Sequence, residues 1–179
     1  MDEHRAFTVR YPGLVLEIVT DAMVALPVII PNTLSAPLKI LAVWDTGATC
    51  SCITETIAKR LGAKPTGKAE VSGVNDTKTV NTYLIDLYLP NNVIFGNVNV
   101  TEAKSLGANI DMLIGMDIML AGDMAISNID KKTTFSFRMP ASKEIDFVPG
   151  TIAYNRAQDA KKRREALKKK KRKSRKRKR

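Results

Sequence analysis

The stretch LAVWDTGATCSCIT, residues 41–54, decides how this chain is interpreted, because a run of apolar residues ends abruptly in Asp45, Thr46 and Gly47. An apolar run bounded by turn residues predicts a buried strand. A single carboxylate directly after such a strand indicates that Asp45 belongs to a catalytic or binding site. The residue types elsewhere in the chain narrow that role.

Most catalytic constellations require residues that this chain lacks. A serine or cysteine nucleophile usually needs a histidine base, and the only histidine is His4. A zinc site needs several closely spaced ligands, whereas Cys50 and Cys52 are expected to be reduced thiols buried behind the Asp45 loop. The Gly-Lys pair at 67–68 is followed by Ala69, not by the serine or threonine of a phosphate-binding loop. Carboxylate chemistry remains, and no metal or cofactor is expected.

The charge of the chain is concentrated at its end. Residues 155–179 hold 16 of the 29 basic residues and two of the 18 acidic ones, a net charge of +14. The remainder holds 13 basic and 16 acidic residues, a net charge of −3. We therefore predict one folded domain over residues 1–154 and a disordered or only transiently helical tail over residues 155–179.

Apolar content of 44% is sufficient for a core in a chain of 179 residues. The longest apolar stretch, residues 22–30, is far shorter than the ~20 residues that a membrane span requires. The first residues, MDEHRAF, are acidic where a secretory signal is basic, so we expect a cytoplasmic protein.

Segments rich in Val, Ile, Thr and Tyr predict a mostly β domain with strands near residues 14–20, 24–30, 39–44, 79–89, 93–101 and 133–138. Within the fourth segment Ile85, Leu87 and Leu89 alternate with other residues, which predicts one buried face.

Two short helices and a hairpin complete the pattern. The first helix is expected to begin after Thr54, to bury Ile57, Ala58 and Leu61, and to end at Gly62. The second is expected over residues 116–120, and the polar centre around Gly73 is typical of a β-hairpin tip.

Asp45-Thr46-Gly47 fits three kinds of site. A phosphatase of the haloacid dehalogenase type needs a second acid at the position of Gly47. A sugar-kinase or actin-like ATPase carries Asp-x-Gly-x-Thr, which Thr49 would complete, but such folds need two large domains. The third kind is an aspartic protease.

Asp45-Thr46-Gly47-Ala48 resembles the active-site signature of the retropepsins, the single-domain proteases of retroviruses with bacterial and phage relatives. The segment DMLIGMDIML, residues 111–120, is similar to the apolar-apolar-Gly companion of that signature. The hairpin around Gly73 lies between the two motifs, where the family has its flap, and the stretch at 122–140 resembles the final strands of bacterial members. The likeness covers residues 14–147 and implies an all-β, retropepsin-like closed β-barrel with one or two short helices.

The resemblance also implies roles for individual residues. The signature occurs once, so a homodimer must supply the second Asp45 of a catalytic pair that cleaves a protein or peptide substrate. Thr46 would hydrogen-bond across the two-fold axis. Gly47 and Ala48 would leave space for the substrate backbone, and residues 71–80 would close over it. The implied site comprises catalytic Asp45, Thr46 and Gly47, substrate-binding Ala48, Thr49, Ser72, Gly73 and Val74, and structural Leu113, Ile114 and Gly115.

Two departures from the family keep an alternative open. Thr49 and Met116 stand where many retroviral members have an acid and an arginine that pair. The alternative is a catalytically inactive dimeric binding module with the same fold. For the tail, non-specific binding of nucleic acid or another polyanion stands beside a purely solubilising role, because residues 155–179 carry no aromatic side chain to stack on bases.

Overall fold

The computed structural model describes residues 3–27, 36–72 and 77–177, with side chains up to residue 170. The chain divides into two compact units, Met1–Ser142 and Lys143–Arg179. The predicted boundary was 12 residues later, at 154/155, and the structure assigns residues 143–154 to the second unit.

The described residues of the first unit contain ten strands: β1 (Arg5–Arg10), β2 (Ile18–Ala25), β3 (Leu38–Trp44), β4 (Cys52–Thr54), β5 (Gly67–Ser72), β6 (Thr77–Leu89), β7 (Val93–Ala103), β8 (Met112–Ile114), β9 (Asp123–Ser127) and β10 (Thr134–Met139). Six of them pair in the order β2-β3-β8-β4-β7-β6, and β6 pairs again with β2. That last pairing closes the sheet, so no edge remains among these six strands. The expected all-β closed barrel is confirmed.

Alternating burial along the strands fills the barrel. Ile85, Leu87 and Leu89 are buried as the periodicity of β6 predicted. The buried aliphatic side chains Val24, Val93 and others come from every part of the barrel. Burying such side chains stabilises a fold by about 1.5–3 kcal/mol each.

A three-stranded sheet, β1-β10-β9, contributes a second part of the core. Phe7, Phe135 and Phe137 project from it and pack around Trp44, with ring centroids 4.9–6.2 Å apart. The Trp44 indole Nε1 donates a 3.0 Å hydrogen bond to the buried Thr20 hydroxyl. The residue before Asp45 is therefore fixed by aromatic packing and by a satisfied polar contact.

Helix α1 (Glu55–Leu61) has the ends that the sequence predicts. The Thr54 hydroxyl accepts from the Ile57 amide, and Gly62 adopts the left-handed conformation at φ 67°. Ile57, Ala58 and Leu61 are buried. A second helix, α2 (Met116–Met119), agrees with the prediction for residues 116–120.

The amino-terminal strands differ from the prediction. Residues 14–20 and 24–30 were expected to form two strands, but β2 runs continuously through Ile18–Ala25, while residues 28–30 lie outside the described part of the chain. The alternating burial of residues 20–24 explains the single strand, because its apolar face continues across the supposed turn. Strand β1 was missed because Phe7 is its only buried residue, too little for a periodic signal.

Helix α3 (Val148–Arg177) forms most of the second unit, where a disordered or transiently helical tail was expected. Ala, Lys, Arg, Glu and Gln have high helix propensities, and these residues dominate the segment. Low hydrophobicity, on which the prediction of disorder rested, excludes burial but not helix formation. The side chains of residues 148–170 are exposed apart from half-buried Gln158.

No helix in the described ranges is both long and apolar enough to cross a bilayer. A cytoplasmic location stays a prediction from the sequence.

Candidate active site

Three strands place the Asp45 loop. Strand β3 runs parallel to β8, pairing Val43 with Leu113 and Trp44 with Ile114, and β8 pairs with β4 in the antiparallel sense. The chain thus leaves β3, turns through the loop and returns as β4 on the other side of β8. The Asp45 amide continues the ladder by donating to the Ile114 carbonyl at 3.0 Å. The strand before the loop and the strand after it therefore both pair with β8, which fixes both ends of the loop.

The turn itself is stabilised by its own polar groups. Oδ1 of Asp45 accepts a 2.8 Å hydrogen bond from the Gly47 amide, and the Asp45 carbonyl accepts from the Ala48 amide at 3.2 Å. A Cβ atom at Gly47 would lie 3.1 Å from that same Oδ1. Asp45, Thr46 and Gly47 are exposed at the surface of the single chain. The carboxylate is thus oriented by the backbone and open to a second molecule.

Gly115 fits against the other side of the loop. A Cβ atom there would lie 2.8 Å and 2.9 Å from the carbonyl carbon and oxygen of Cys50 and 3.0 Å from the Ala48 carbonyl oxygen. These are backbone atoms that cannot rotate away, so only glycine allows this approach. Beyond it, the Met116 amide donates to the Ala48 carbonyl at 2.9 Å and the Asp117 amide to the Thr49 carbonyl at 3.2 Å.

A serine and a carboxylate that the sequence analysis did not identify join the two segments. The fully buried Ser51 hydroxyl donates to Oδ1 of Asp117 at 2.7 Å and accepts from the Gly115 amide at 3.0 Å. The Ser51 amide donates to Oδ2 of Asp117 at 3.0 Å, and the Ile118 amide donates to Oδ1 at 3.0 Å. One polar cluster therefore fixes the end of the Asp45 loop to the start of α2.

The sequence carries a signal for this pair. Ser51 and Asp117 each interrupt a small or apolar run, and a polar side chain in such a run needs a hydrogen-bonding partner if it is buried. That signal does not identify the partner, because 66 residues separate the two positions.

The predicted hairpin is formed by β5 and β6, which pair from Gly67 with Thr82 to Ser72 with Thr77. Its outer part is exposed, and the Ser72 hydroxyl shares a 3.2 Å hydrogen bond with the Thr77 hydroxyl. Gly73 and Val74, both predicted to bind substrate, lie outside the described residues.

The structure therefore joins most of the predicted site. Asp45, Ala48 and Thr49 are connected by backbone hydrogen bonds to residues 114–117, and Gly115 touches the loop directly. Ser72 lies on the hairpin, and its recorded hydrogen bond stays within that hairpin. The catalytic and substrate-binding roles of these residues stay predictions.

The two thiols differ from expectation in burial. Both cysteines are free, but Cys50 is exposed and Cys52 is half-buried at the start of β4, whereas both were expected to be buried. The turn after Asp45 continues through Cys50, so the two residues do not share one strand face. Burial raises the pKa of the Cys52 thiol to about 11, opposed in part by the Leu113 backbone. In the described part of the chain no three His, Cys, Asp or Glu residues are grouped so as to hold a metal ion.

Comparison with known proteins yields one family and several structures. A family model described as "Aspartyl protease" matches residues 35–118. A retropepsin-like aspartic protease from Rickettsia conorii is 16% identical over 78% of this chain and 98% of its own, with a TM-score of 0.46. The protease of simian foamy virus (mac) is 17% identical over 56% of this chain and 89% of its own, with a TM-score of 0.36. No curated protein matches the sequence significantly.

The family match begins before β3 and ends in α2. It therefore includes the Asp45 loop, the hairpin and the Gly115 segment, which are the three elements on which the sequence resemblance rested. Over residues 35–118 the chain is similar in sequence to the aspartyl proteases.

Proposed function

We propose that the protein is an aspartic endopeptidase that works as a symmetric homodimer. The observation that carries the proposal is the Asp45 loop. Its exposed carboxylate directly follows strand β3, and backbone hydrogen bonds join the loop to residues 114–117. The sequence contains this signature once, so a second chain has to supply the second carboxylate.

The mechanism follows from two carboxylates placed close together. Like charges about 3 Å apart cannot both ionise, so the pair shares one proton. The ionised carboxylate takes a proton from water as the water oxygen attacks the amide carbon, and the protonated one donates to the carbonyl oxygen. The C–N bond of the resulting diol then breaks as the carboxyl group that took the water proton gives it to the departing amine. The other carboxylate takes a proton from a diol hydroxyl, which leaves a carboxylic acid product and restores the singly protonated pair. The hydrogen bond from the Gly47 amide would fix the orientation of each carboxylate.

The substrate in this proposal is an extended peptide. Thr46 hydrogen-bonds across the dimer axis, and the small Gly47 and Ala48 leave room for the substrate backbone. The hairpin of β5 and β6 closes over the peptide, which pairs with it as an added strand. Ser72, Gly73 and Val74 of this hairpin bind the substrate in the proposal. The exposed outer part of this two-stranded ribbon supports such a role, because few packing contacts would oppose its movement.

A peptide library incubated with the purified protein across a range of pH tests the activity. We expect cleavage that is blocked by pepstatin and absent in Asp45→Asn, whereas Asp21→Asn, which alters another exposed aspartate, should cleave normally. A folded, dimeric wild-type protein without any cleavage would instead support the inactive binding module.

Mixing the chains tests whether the site is shared. If each site needs Asp45 from both chains, an excess of Asp45→Asn protein should capture wild-type chains in inactive heterodimers. Activity per wild-type chain should then fall steadily with added variant, while added Asp21→Asn protein should not lower it. Activity that is unaffected by the Asp45→Asn protein, despite demonstrated subunit exchange, would exclude a shared pair.

We also assign a tethering role to the basic end of the chain. A net charge of +14 in residues 155–179 favours binding to a polyanion through release of its counterions. Replacing Lys161, Lys162, Arg163 and Arg164 with Gln should weaken binding to heparin or DNA and flatten its dependence on salt. Unchanged binding would assign the tail a solubilising role.

A further inference from the structure

From residue 161 onward, helix α3 (Val148–Arg177) carries positive charge around its whole circumference. Successive residues of an α-helix are rotated by about 100°, so any four consecutive residues cover one full turn. Residues 161–164 are Lys, Lys, Arg and Arg, and residues 168–173 are six basic residues in succession. Basic residues therefore occupy every side of α3 and do not form a stripe.

Charge on all sides of the helix is a poor match for two kinds of anionic partner, a membrane surface and a single-stranded nucleic acid. Insertion into a membrane interface needs an apolar face opposite the charges, but residues 155–177 contain only alanines and Leu167 as apolar residues. An anionic bilayer would therefore hold α3 by surface charge alone, at about 1 kcal/mol per basic residue that reaches it. Unpaired bases are bound by stacking on aromatic rings, which residues 155–179 lack. A flat anionic surface would also leave the charges on the far side of the helix unused.

A groove with phosphates on both walls can use charge on all sides. The major groove of B-form DNA is about 12 Å wide, and an α-helix with its side chains measures about 10–12 Å across. The major groove of double-stranded RNA is too narrow to admit a helix.

We propose that α3 binds double-stranded DNA by lying in the major groove without base specificity. The proposal rests on the tethering role assigned above and names its partner. The phosphates would also neutralise the repulsion between like charges along the helix, so DNA should raise the temperature at which α3 melts.

DNA would bind any segment of this composition through charge alone, whether or not the segment is helical. The decisive variants therefore keep the charge and remove the helix. Ala160→Pro with Ala166→Pro preserves every basic residue and breaks α3, because proline lacks an amide hydrogen and clashes with the preceding turn. Ala160→Gln with Ala166→Gln is the matched control, since glutamine is a good helix former without charge. Both pairs lie outside the Asp45 site, so the barrel should unfold at the same temperature in each.

Fluorescence anisotropy with the full-length protein measures binding to a labelled DNA duplex, its single strand, the RNA duplex of the same sequence and phosphatidylcholine–phosphatidylserine vesicles. We expect the DNA duplex to bind about tenfold more tightly than the other three at moderate salt. The proline pair should lose that preference, with a smaller salt slope, because each phosphate contact contributes a slope of about −0.9. The glutamine pair should bind like the wild type. Far-ultraviolet circular dichroism should show that duplex DNA raises the melting temperature of α3.

The outcomes separate the two claims. If the proline pair binds duplex DNA as tightly as the glutamine pair, the groove-bound helix is excluded while polyanion tethering stands. Equal binding of DNA and RNA duplexes, or tighter binding of vesicles, also overturns the proposal. If the wild type binds none of the probes, both the proposal and the tethering role fail.

Discussion

Removing the Ser51 hydroxyl tests whether the polar cluster beside the Asp45 loop holds the fold together. In Ser51→Ala the Asp117 carboxylate loses a 2.7 Å hydrogen bond, and the buried Gly115 amide loses its acceptor. A hydrogen bond to a charged group contributes about 1.5–3 kcal/mol, and the lower end applies because Asp117 is exposed. An unsatisfied buried amide costs about 1–3 kcal/mol. Together these effects predict a loss of about 3 kcal/mol in the free energy of unfolding.

Urea denaturation followed by tryptophan fluorescence measures this loss. Trp44 is the only tryptophan and is buried in the aromatic core, so its emission reports the unfolding of the barrel and not of α3. A loss of about 3 kcal/mol should lower the midpoint by about 1–2 M urea, given a typical dependence of unfolding free energy on urea for a domain of this size.

Ser136→Ala is the matched control. The Ser136 hydroxyl also has two partners, the Thr8 hydroxyl at 3.0 Å and the Phe7 carbonyl at 3.1 Å, but it is only half-buried. Water can replace it, so we expect a loss of less than about 1 kcal/mol. If Ser51→Ala costs no more than Ser136→Ala, the cluster does not support the loop and the reasoning is wrong.

A double-mutant cycle identifies the partner. If Ser51 acts through Asp117, the combined variant Ser51→Ala with Asp117→Ala should lose less than the sum of the two single losses, by about 1–2 kcal/mol. Strict additivity would show that the two side chains do not depend on each other.

Two further predictions concern the same loop. Gly115→Ala should destabilise the barrel by about 1–3 kcal/mol in thermal unfolding, because the added methyl group would lie 3.0 Å or less from backbone atoms of Ala48 and Cys50, whereas Gly13→Ala, with no atom within 4 Å of its Cβ, should be nearly neutral. If Gly115→Ala and Gly13→Ala had equal effects on stability, Gly115 would not lie against the backbone of Ala48 and Cys50. Iodoacetamide at pH 8, followed by mass spectrometry, should label exposed Cys50 well before Cys52, because the thiolate is the reactive form and the pKa of Cys52 is raised to about 11. Labelling of Cys52 should accelerate only as the pH approaches 11, and rapid labelling at pH 8 would contradict its burial.

Local patterns predicted much of the secondary structure. The alternation in β6 and the cap and stop residues of α1 depend on neighbouring side chains and on backbone preferences, so they can be recognised in a short window. The same kind of window failed at the amino terminus. Strand β1 buries only Phe7, and its pairing with β10 joins residues about 130 positions apart.

Residues 155–179 show a second limit on what amino-acid composition can predict. Residues 155–179 are too polar to be buried, and those up to residue 170, whose side chains the structure describes, are exposed apart from half-buried Gln158. Disorder did not follow, because helix formation depends on backbone hydrogen bonds and side-chain propensity and does not require an apolar face.

By itself the sequence determined which chemistry to expect: with one histidine, no clustered metal ligands and one Asp-Thr-Gly after an apolar run, it favoured a carboxylate site at Asp45 over the other catalytic types. The order of the Asp45 loop, the hairpin and the Gly115 segment also came from the sequence, because each carries its own local signal. Only the tertiary structure decided what holds the loop in place. The contact between Gly115 and the Cys50 backbone, and the cluster of Ser51 with Asp117, join residues more than 60 positions apart. Such contacts depend on how β3, β4 and β8 are arranged in space, and no local pattern of residues specifies that arrangement.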